Sequence, residues 1–272
     1  MKILATSYGV ARSEGQPSSD AFDVWMERAT AVAVLSDGAG SGLPAREAAQ
    51  RAVRSIVAGY AARPRAWNPA HTIDVFARNL NRAYFHESQQ RYERSEMVAT
   101  LSAVVIESGR LYGLNLGDSP VYLWRDGRLS TLSAAHVEST QKCMLPRALG
   151  MAPDIEPQCF EMPLRAGDIA LLCSDGVANQ LSAEDIASAL SRHSTARTLV
   201  LDARQRADDE SLDDMSAIVL DIRELPESAA QDVRTLDIPQ KLAKADLFDG
   251  YELVRSFNTN NRVWLAQKNG QR

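Results

Sequence analysis

The sequence predicts an α+β fold in which antiparallel sheets are covered by helices. Three observations carry that prediction. Apolar runs of strand length are gathered together, as in "ATAVAVLSDG" (29–38) and "VATLSAVVIESGRLYGLNLGDSPVYLWRDGRLSTL" (98–132). Helical periods fill separate stretches between and after these runs. The resulting order of strand, helices, a long set of strands, helices and strand is not the strict alternation of a doubly wound parallel sheet.

Each element has its own signal. In the first long helix Ala45, Ala48, Ala49, Ala52, Val53, Ile56, Val57 and Tyr60 recur at three and four, and Pro44 fits a first turn, where its missing N–H is tolerated. A second helix is expected over His71 to Arg91, with Ile73, Phe76, Leu80 and Tyr84 on one face. Glu107-Ser108-Gly109 and Arg125-Asp126-Gly127 read as turns of an antiparallel meander, because such sequences tolerate positive φ. A third helix starts at Ser182, where Asp185 three residues on completes a capping-box pattern. A fourth follows Ser194 and carries Leu199, Val200 and Ala203, and "MSAIVLDI" (215–222) is the last core strand.

Bulk properties exclude several functions. A net charge of −5 argues against nucleic-acid binding, which calls for a basic face. No apolar run approaches the roughly 20 residues of a membrane span. "MKILATSYGV" lacks the apolar centre of a secretion signal, so a cytoplasmic location is expected. Cys143, Cys159 and Cys173 form no CxxC pair, and Cys173 reads as a small buried hydrophobe.

The chemistry lies in carboxylates placed where strands end. Ser36-Asp37-Gly38 and Ser174-Asp175-Gly176 each close an apolar run, and Asp118 follows Leu116-Gly117. An Asp at a strand exit is held rigidly while its head stays reachable, and the following Gly lets the backbone approach a ligand closely. Asp213 and Asp214 stand at the mouth of the last strand, whereas Asp208, Asp209 and Glu210 read as a solvated loop. Four such stations can converge at one edge of the sheets, and hard oxygen donors suit Mg²⁺ or Mn²⁺.

Taken in order, these segments resemble the 2C-type (PPM) metal-dependent Ser/Thr protein phosphatases. "SDGAGSG" stands for the family's Asp-Gly-x-Gly-Gly, "VATLSAVVI" for its Gly-Thr-Thr strand, and "LGDSPVYLWRDGRLSTLSAAH" for Gly-Asp-Ser-Arg. "LPRALG", "LLCSDGV" and "LDDMSAIVL" follow in the places of Leu-Thr-Arg-Ala-Leu-Gly, the second Asp-Gly, and Asp-Asn-Ile-Thr. The resemblance covers about residues 1 to 223 and implies a β-sandwich with helices on both outer faces, a four-layer αββα arrangement. It implies a site at one end of the sandwich holding two Mn²⁺ or Mg²⁺ ions. Asp37 would bridge them, the Gly38 carbonyl would bind one, Asp175 and Asp213 would complete the other shell, and Asp118 with Asp175 matches a weaker third metal. A water bridging the metal pair would then attack phosphoserine or phosphothreonine in line, with no protein nucleophile. In "ARSEGQPSSDAFDV", Asp20 matches a carboxylate that orients metal-bound water, and Arg12 is the candidate phosphate clamp, though it lies upstream of the family position; a surface Arg is the alternative.

The pattern also departs from the family. Ser19 stands where Glu is usual, Ala39 where some members carry a general-acid His, Pro120 for Arg, and Asp214 for Asn. An extra carboxylate at 214 is expected either to tighten cation binding or to repel phosphate. None of His71, His86, His136 and His193 replaces the missing His. The segment from His136 to Pro157 matches a flap beside the family's site and equally reads as a connecting loop.

Residues 224–248 read as a linker, polar and interrupted by Pro226 and Pro239. Residues 249–272 read as a terminal β-hairpin, with strands Tyr251–Phe257 and Arg262–Gln267 and a hairpin signal at Asn269-Gly270. "YELVRSFNTNNRVWLAQ" resembles the opening of a protein-kinase small lobe without its Gly-rich loop, so the stretch is either the cut start of a kinase-like domain or a simple hairpin. Three functions follow: a metal-dependent phosphatase acting on phosphoproteins, among them a partner or fused kinase; a weak or inactive phosphoprotein-binding module regulating such a kinase; and a hydrolase of a small phosphate ester.

Overall fold

The computed structural model describes residues 1–39, 42–64, 66–92, 94–133, 148–208, 211–225, 244–245, 247–248, 251–256 and 264–267. The chain divides into two compact units, Met1–Ser228 and Ala229–Arg272. In the first unit the strands are β1 (Lys2–Val10), β2 (Asp20–Glu27), β3 (Thr30–Asp37), β4 (Leu101–Glu107), β5 (Arg110–Leu116), β6 (Val121–Arg125), β7 (Arg128–Thr131), β8 (Gln158–Pro163), β9 (Ile169–Cys173) and β10 (Met215–Glu224). The helices are α1 (Leu43–Ala62), α2 (Pro69–Tyr92), α3 (Asp175–Ala178), α4 (Ala183–Ser191) and α5 (Ala196–Arg206).

Two five-stranded sheets, ordered β1-β10-β9-β6-β7 and β2-β3-β4-β5-β8, are antiparallel throughout. Period-two alternation in the central strands sorts side chains into layers. Ala31, Ala33 and Leu35 of β3 pack with Ile218, Leu220 and Ile222 of β10 between the sheets. Val32 and Val34 face the other way, onto Ala48, Ala52, Ile56, Tyr60 and Tyr84 of α1 and α2. On the far side Ile169, Leu171 and Cys173 of β9 meet Ile186, Leu190, Leu199 and Val200 of α4 and α5. The layers are therefore helix, sheet, sheet, helix: an αββα sandwich, as the resemblance implies.

Local chemistry explains the element ends. Arg125-Asp126-Gly127-Arg128 and its counterpart at Glu107 turn through positive φ at Ser108 (53°), Gly109 (73°), Asp126 (50°) and Gly127 (79°), the backbone twist that closes a two-residue hairpin. Ser182 and Asp185 form a reciprocal capping box at α4. α2 begins at Pro69, two residues before the expected His71. β1, β2, β8 and the four-residue α3 carry no strong signal in the sequence.

In the second unit β11 (Leu247–Phe248), β12 (Tyr251–Ser256) and β13 (Trp264–Gln267) form an antiparallel sheet in that order, with Leu253 buried and the Gln267 amide donating to Glu252. Most of the expected linker (226–243), the polar turn at 258–261 and Asn269-Gly270 lie outside the described residues. Among the described residues no helix is long and apolar enough to cross a membrane.

Candidate active site

The carboxylates that the sequence reading singled out come together at one end of the sandwich. Asp37 ends β3, and its register partner Asp20 opens the neighbouring β2. Asp175 starts α3 directly after β9, Asp118 lies in the β5–β6 turn beside Gly117 (φ 122°), and Asp213 stands two residues before β10. Asp37, Gly38, Asp118, Asp175, Asp213, Asp214 and Arg12 all line one cavity of about 1030 Å³. Asp20 is buried behind it. Among the described lining residues Arg12 is the only cation, against five carboxylates.

The backbone around Asp37 is fixed by a buried hydroxyl and amide network. The Asp37 N–H donates to Thr100 Oγ1 (2.9 Å), the Thr100 N–H donates to the Asp37 carbonyl (2.8 Å), and Ser36 Oγ donates to the Thr100 carbonyl (2.5 Å). Thr100 Oγ1 also shares a hydrogen bond with Ser119 Oγ (3.0 Å), and Asn115 Nδ2 donates to the Ser119 carbonyl (2.7 Å). The strand carrying Asp37 is thereby tied to the turn carrying Asp118. In "VATLS" the signal for this network is hydroxyls interleaved with buried apolar residues. Gly38 is required by close approach, since a Cβ there would lie 2.6 Å from the Ala45 carbonyl oxygen.

The electrostatics are dominated by like charges gathered in partial burial. Burial first, then the negative charges of Asp20 and Asp175, push the Asp37 carboxyl up to about 9. Burial likewise pushes Asp20 up to about 6, partly offset by the hydroxyl of Ser216, which donates to Asp20 Oδ2 at 2.6 Å. Asp175 is raised by burial and then by Asp118 and Asp213. The negative charges of Asp20 and Asp175 act on the Asp37 carboxyl, a repulsion that a proton or a cation relieves. Oδ1 of Asp20 and Oδ1 of Asp175 are buried and have no hydrogen-bond partner. Among the described residues no three such side chains already enclose an ion-sized point, and the hard oxygen donors Asp37, Asp118, Asp175 and Asp213 share the cavity lining. Their chemistry and the orphaned oxygens fit divalent Mg²⁺ or Mn²⁺.

Asp214 lines the cavity with both carboxylate oxygens engaged by backbone amides. Oδ1 accepts the backbone N–H of Arg12 (2.6 Å) and Oδ2 that of Ser19 (2.5 Å). His193 is paired with Asp221, on strand β10 toward the opposite end of the sandwich. Burial raises the Cys173 thiol above its ordinary value and keeps it unreactive. Residues 134–147, most of the expected flap and including Arg147 of "LPRALG", lie outside the described residues. From Ala148 the chain is anchored, with Leu149 and Ala99 exchanging backbone hydrogen bonds and Asn81 Nδ2 donating to the carbonyls of Ala152 and Pro153.

An αββα sandwich with an acidic cavity at one end of its sheets defines a class, and comparison with known proteins agrees. Residues 10–217 match the protein phosphatase 2C family, and the chain belongs to it. A stretch of 136 residues is 31% identical to the serine/threonine protein phosphatase PstP of Mycobacterium tuberculosis, covering 43% of this chain and 26% of that protein. The serine/threonine phosphatase stp of Listeria welshimeri is 25% identical over 171 residues, 55% of this chain and 68% of that one. The catalytic domain of PstP solved with two manganese ions superimposes with a TM-score of 0.67 at 24% identity, covering 82% of this chain and 99% of that one. The chain thus spans about a quarter of the length of the mycobacterial relative.

Proposed function

We propose that this chain hydrolyses phosphoserine and phosphothreonine in proteins, using two Mn²⁺ or Mg²⁺ ions. The observation that carries the reading is the Asp37 carboxyl, held between Asp20 and Asp175 in a cavity whose described lining has a single cation. Such a cavity repels a phosphate dianion until cations fill it. Family membership supports the reading, as does the manganese pair in the PstP relative.

Asp37, the Gly38 carbonyl, Asp175 and Asp213 would hold the two ions, with Asp118 and Asp175 at a weaker third. When bound, a pair of divalent ions supplies a nucleophilic water at neutral pH and neutralises charge on the phosphoryl oxygens. Asp20, fixed by Ser216, orients water at the inner wall, and Arg12 at the rim holds the phosphate. The Thr100–Ser119 network keeps the Asp37 and Asp118 stations at constant separation, the preorganisation that such chemistry depends on. The substrate is a phosphoprotein in the cytoplasm, and the kinase-like C-terminal segment points to a partner or fused kinase as one such substrate.

A second reading, a phosphoprotein-binding module with little turnover, is favoured by Pro120 and Ala39, which leave the described cavity wall without a second cation or a His. The test is phosphate release from a phosphothreonine peptide and from small phosphorylated metabolites, in EDTA, Mg²⁺ and Mn²⁺, by wild type, Asp37→Asn and Asp175→Ala. Metal-dependent turnover of the peptide that disappears in folded variants is expected. Peptide binding without turnover selects the module, preference for the metabolites selects a small-ester hydrolase, and turnover surviving in Asp175→Ala removes the proposed ligand set.

A further inference from the structure

We infer that Asp214 is a positioning residue that holds the β1–β2 loop, and with it Arg12, against the mouth of the cavity. The inference rests on the phosphatase reading above. Residues 11–19 connect β1 to β2, and Arg12 to Pro17 are exposed. The Asp214 carboxylate bridges the two sides of that loop, one oxygen on the Arg12 N–H at 2.6 Å and the other on the Ser19 N–H at 2.5 Å, across 202 and 195 residues of sequence. The Ser19 carbonyl in turn accepts the Gly38 N–H at 3.3 Å, so the clamped loop abuts the backbone next to Asp37.

The chemistry selects Asp over Asn at this place. A carboxylate offers an acceptor oxygen to each amide, whereas a carboxamide offers one oxygen and turns its NH₂ toward the second N–H, donor against donor. Bonds to an ionised acceptor are also stronger than neutral ones. The backbone of Asp214 is itself fixed between the metal-site stations. Its N–H donates to Asp213 Oδ1 at 2.8 Å, and its carbonyl oxygen lies so close to Gly176 that a Cβ there would approach to 2.2 Å. The residue therefore couples the elements carrying Asp213 and Asp175 to the loop carrying the cavity's cation. With both oxygens on amides, its part is to set the grip on phosphate through Arg12.

The experiment compares wild type, Asp214→Asn, Arg12→Ala and the double variant. It reads three quantities: inhibition by inorganic phosphate, Mn²⁺ affinity by calorimetry, and exchange rates of the Arg12 and Ser19 amides. Asp214→Asn is expected to weaken phosphate inhibition about tenfold, one charge-assisted bond's worth. It should raise KM more than it lowers kcat, speed exchange of both amides, and leave the Mn²⁺ affinity within about twofold. In the double variant the effects on phosphate should not add, because both act through one contact. Asp214→Ser serves if the Asn variant does not fold. Unchanged amide exchange, unchanged phosphate inhibition, additive effects or lost Mn²⁺ binding would each overturn the inference. If wild type hydrolyses nothing, the phosphatase reading fails while amide exchange still decides whether the clamp exists.

Discussion

Gly176→Ala isolates the close approach between the segments that carry Asp175 and Asp213. Gly176 follows Asp175 in α3, and its φ is not in the left-handed region, so the requirement is space alone. An added Cβ would stand 2.2 Å from the Asp214 carbonyl oxygen, 3.2 Å from its carbon and 3.3 Å from Met215 Cγ. Reaching ordinary contact means opening α3 from the start of β10 by roughly 1 Å. Those segments are laced together, the Ser174 N–H donating to the Ser216 carbonyl and the Ser216 N–H to Ser174 Oγ, each at 3.0 Å. Overpacking of this kind costs about 1–3 kcal/mol, offset by about 0.4–1 kcal/mol from the stiffer unfolded chain. A net loss of about 1–2 kcal/mol should therefore appear in urea unfolding in EDTA. A displacement of roughly 1 Å between Asp175 and Asp213 should also weaken Mn²⁺ binding and lower metal-dependent turnover on the order of 100-fold. A variant with wild-type stability, Mn²⁺ affinity and turnover would refute the reasoning.

Two further predictions separate the ends of the sandwich and the protonation of the site. Asp168 is buried and accepts Arg125 Nε (2.8 Å), Arg125 Nη2 (2.6 Å) and the Arg165 N–H (2.7 Å) away from the cavity. Asp168→Ala should cost about 2–4 kcal/mol by thermal or urea unfolding, because it strands a half-buried guanidinium, while turnover at a temperature where the variant is folded stays at the wild-type level. Asp20 and Asp37, pushed up to about 6 and about 9, bind more protons folded than unfolded, so their effect is absent below the unfolded value of 3.8 and grows more destabilising as pH rises. The cation-free protein should accordingly lose stability through the Asp20–Asp37 pair as pH rises from about 4 to 7. Added Mn²⁺ should raise the melting temperature more at about pH 8 than at about pH 5; a Mn²⁺ effect independent of pH would contradict this.

What was legible in the sequence follows from burial. β3, β4, β5, β9 and β10 are buried along nearly their whole length, so they read as continuous apolar runs between turn signals. The strands that escaped notice, β1, β2 and β8, are sheet edges. "QCFEMP" alternates between partial burial and exposure, "DAFDVWME" is mostly half-buried or exposed, and a half-exposed edge needs no strong apolar pattern. α3 is too short to show a period. Asp37, Asp118, Asp175 and Asp213 were legible because a strand-end carboxylate is conspicuous against apolar neighbours. The role of Asp214 was not, because its partners are backbone amides about two hundred residues away, which carry no signature of residue type. The same holds for Thr100 and Ser119, whose hydroxyls acquire meaning only once β3, β4 and the β5–β6 turn are side by side.

The central claim is that the acidic cavity is a divalent cation site in which burial favours the protonated forms of Asp20 and Asp37 until metal arrives. It is tested most directly by calorimetric titration of the cation-free chain with Mn²⁺ at about pH 7, repeated in buffers of different ionisation enthalpy to count protons. Two strong sites lined by Asp37, Asp175 and Asp213, with net proton release from the Asp20–Asp37 pair, are the result predicted. A folded protein that takes up no Mn²⁺, or binds it with no proton released, would contradict the account.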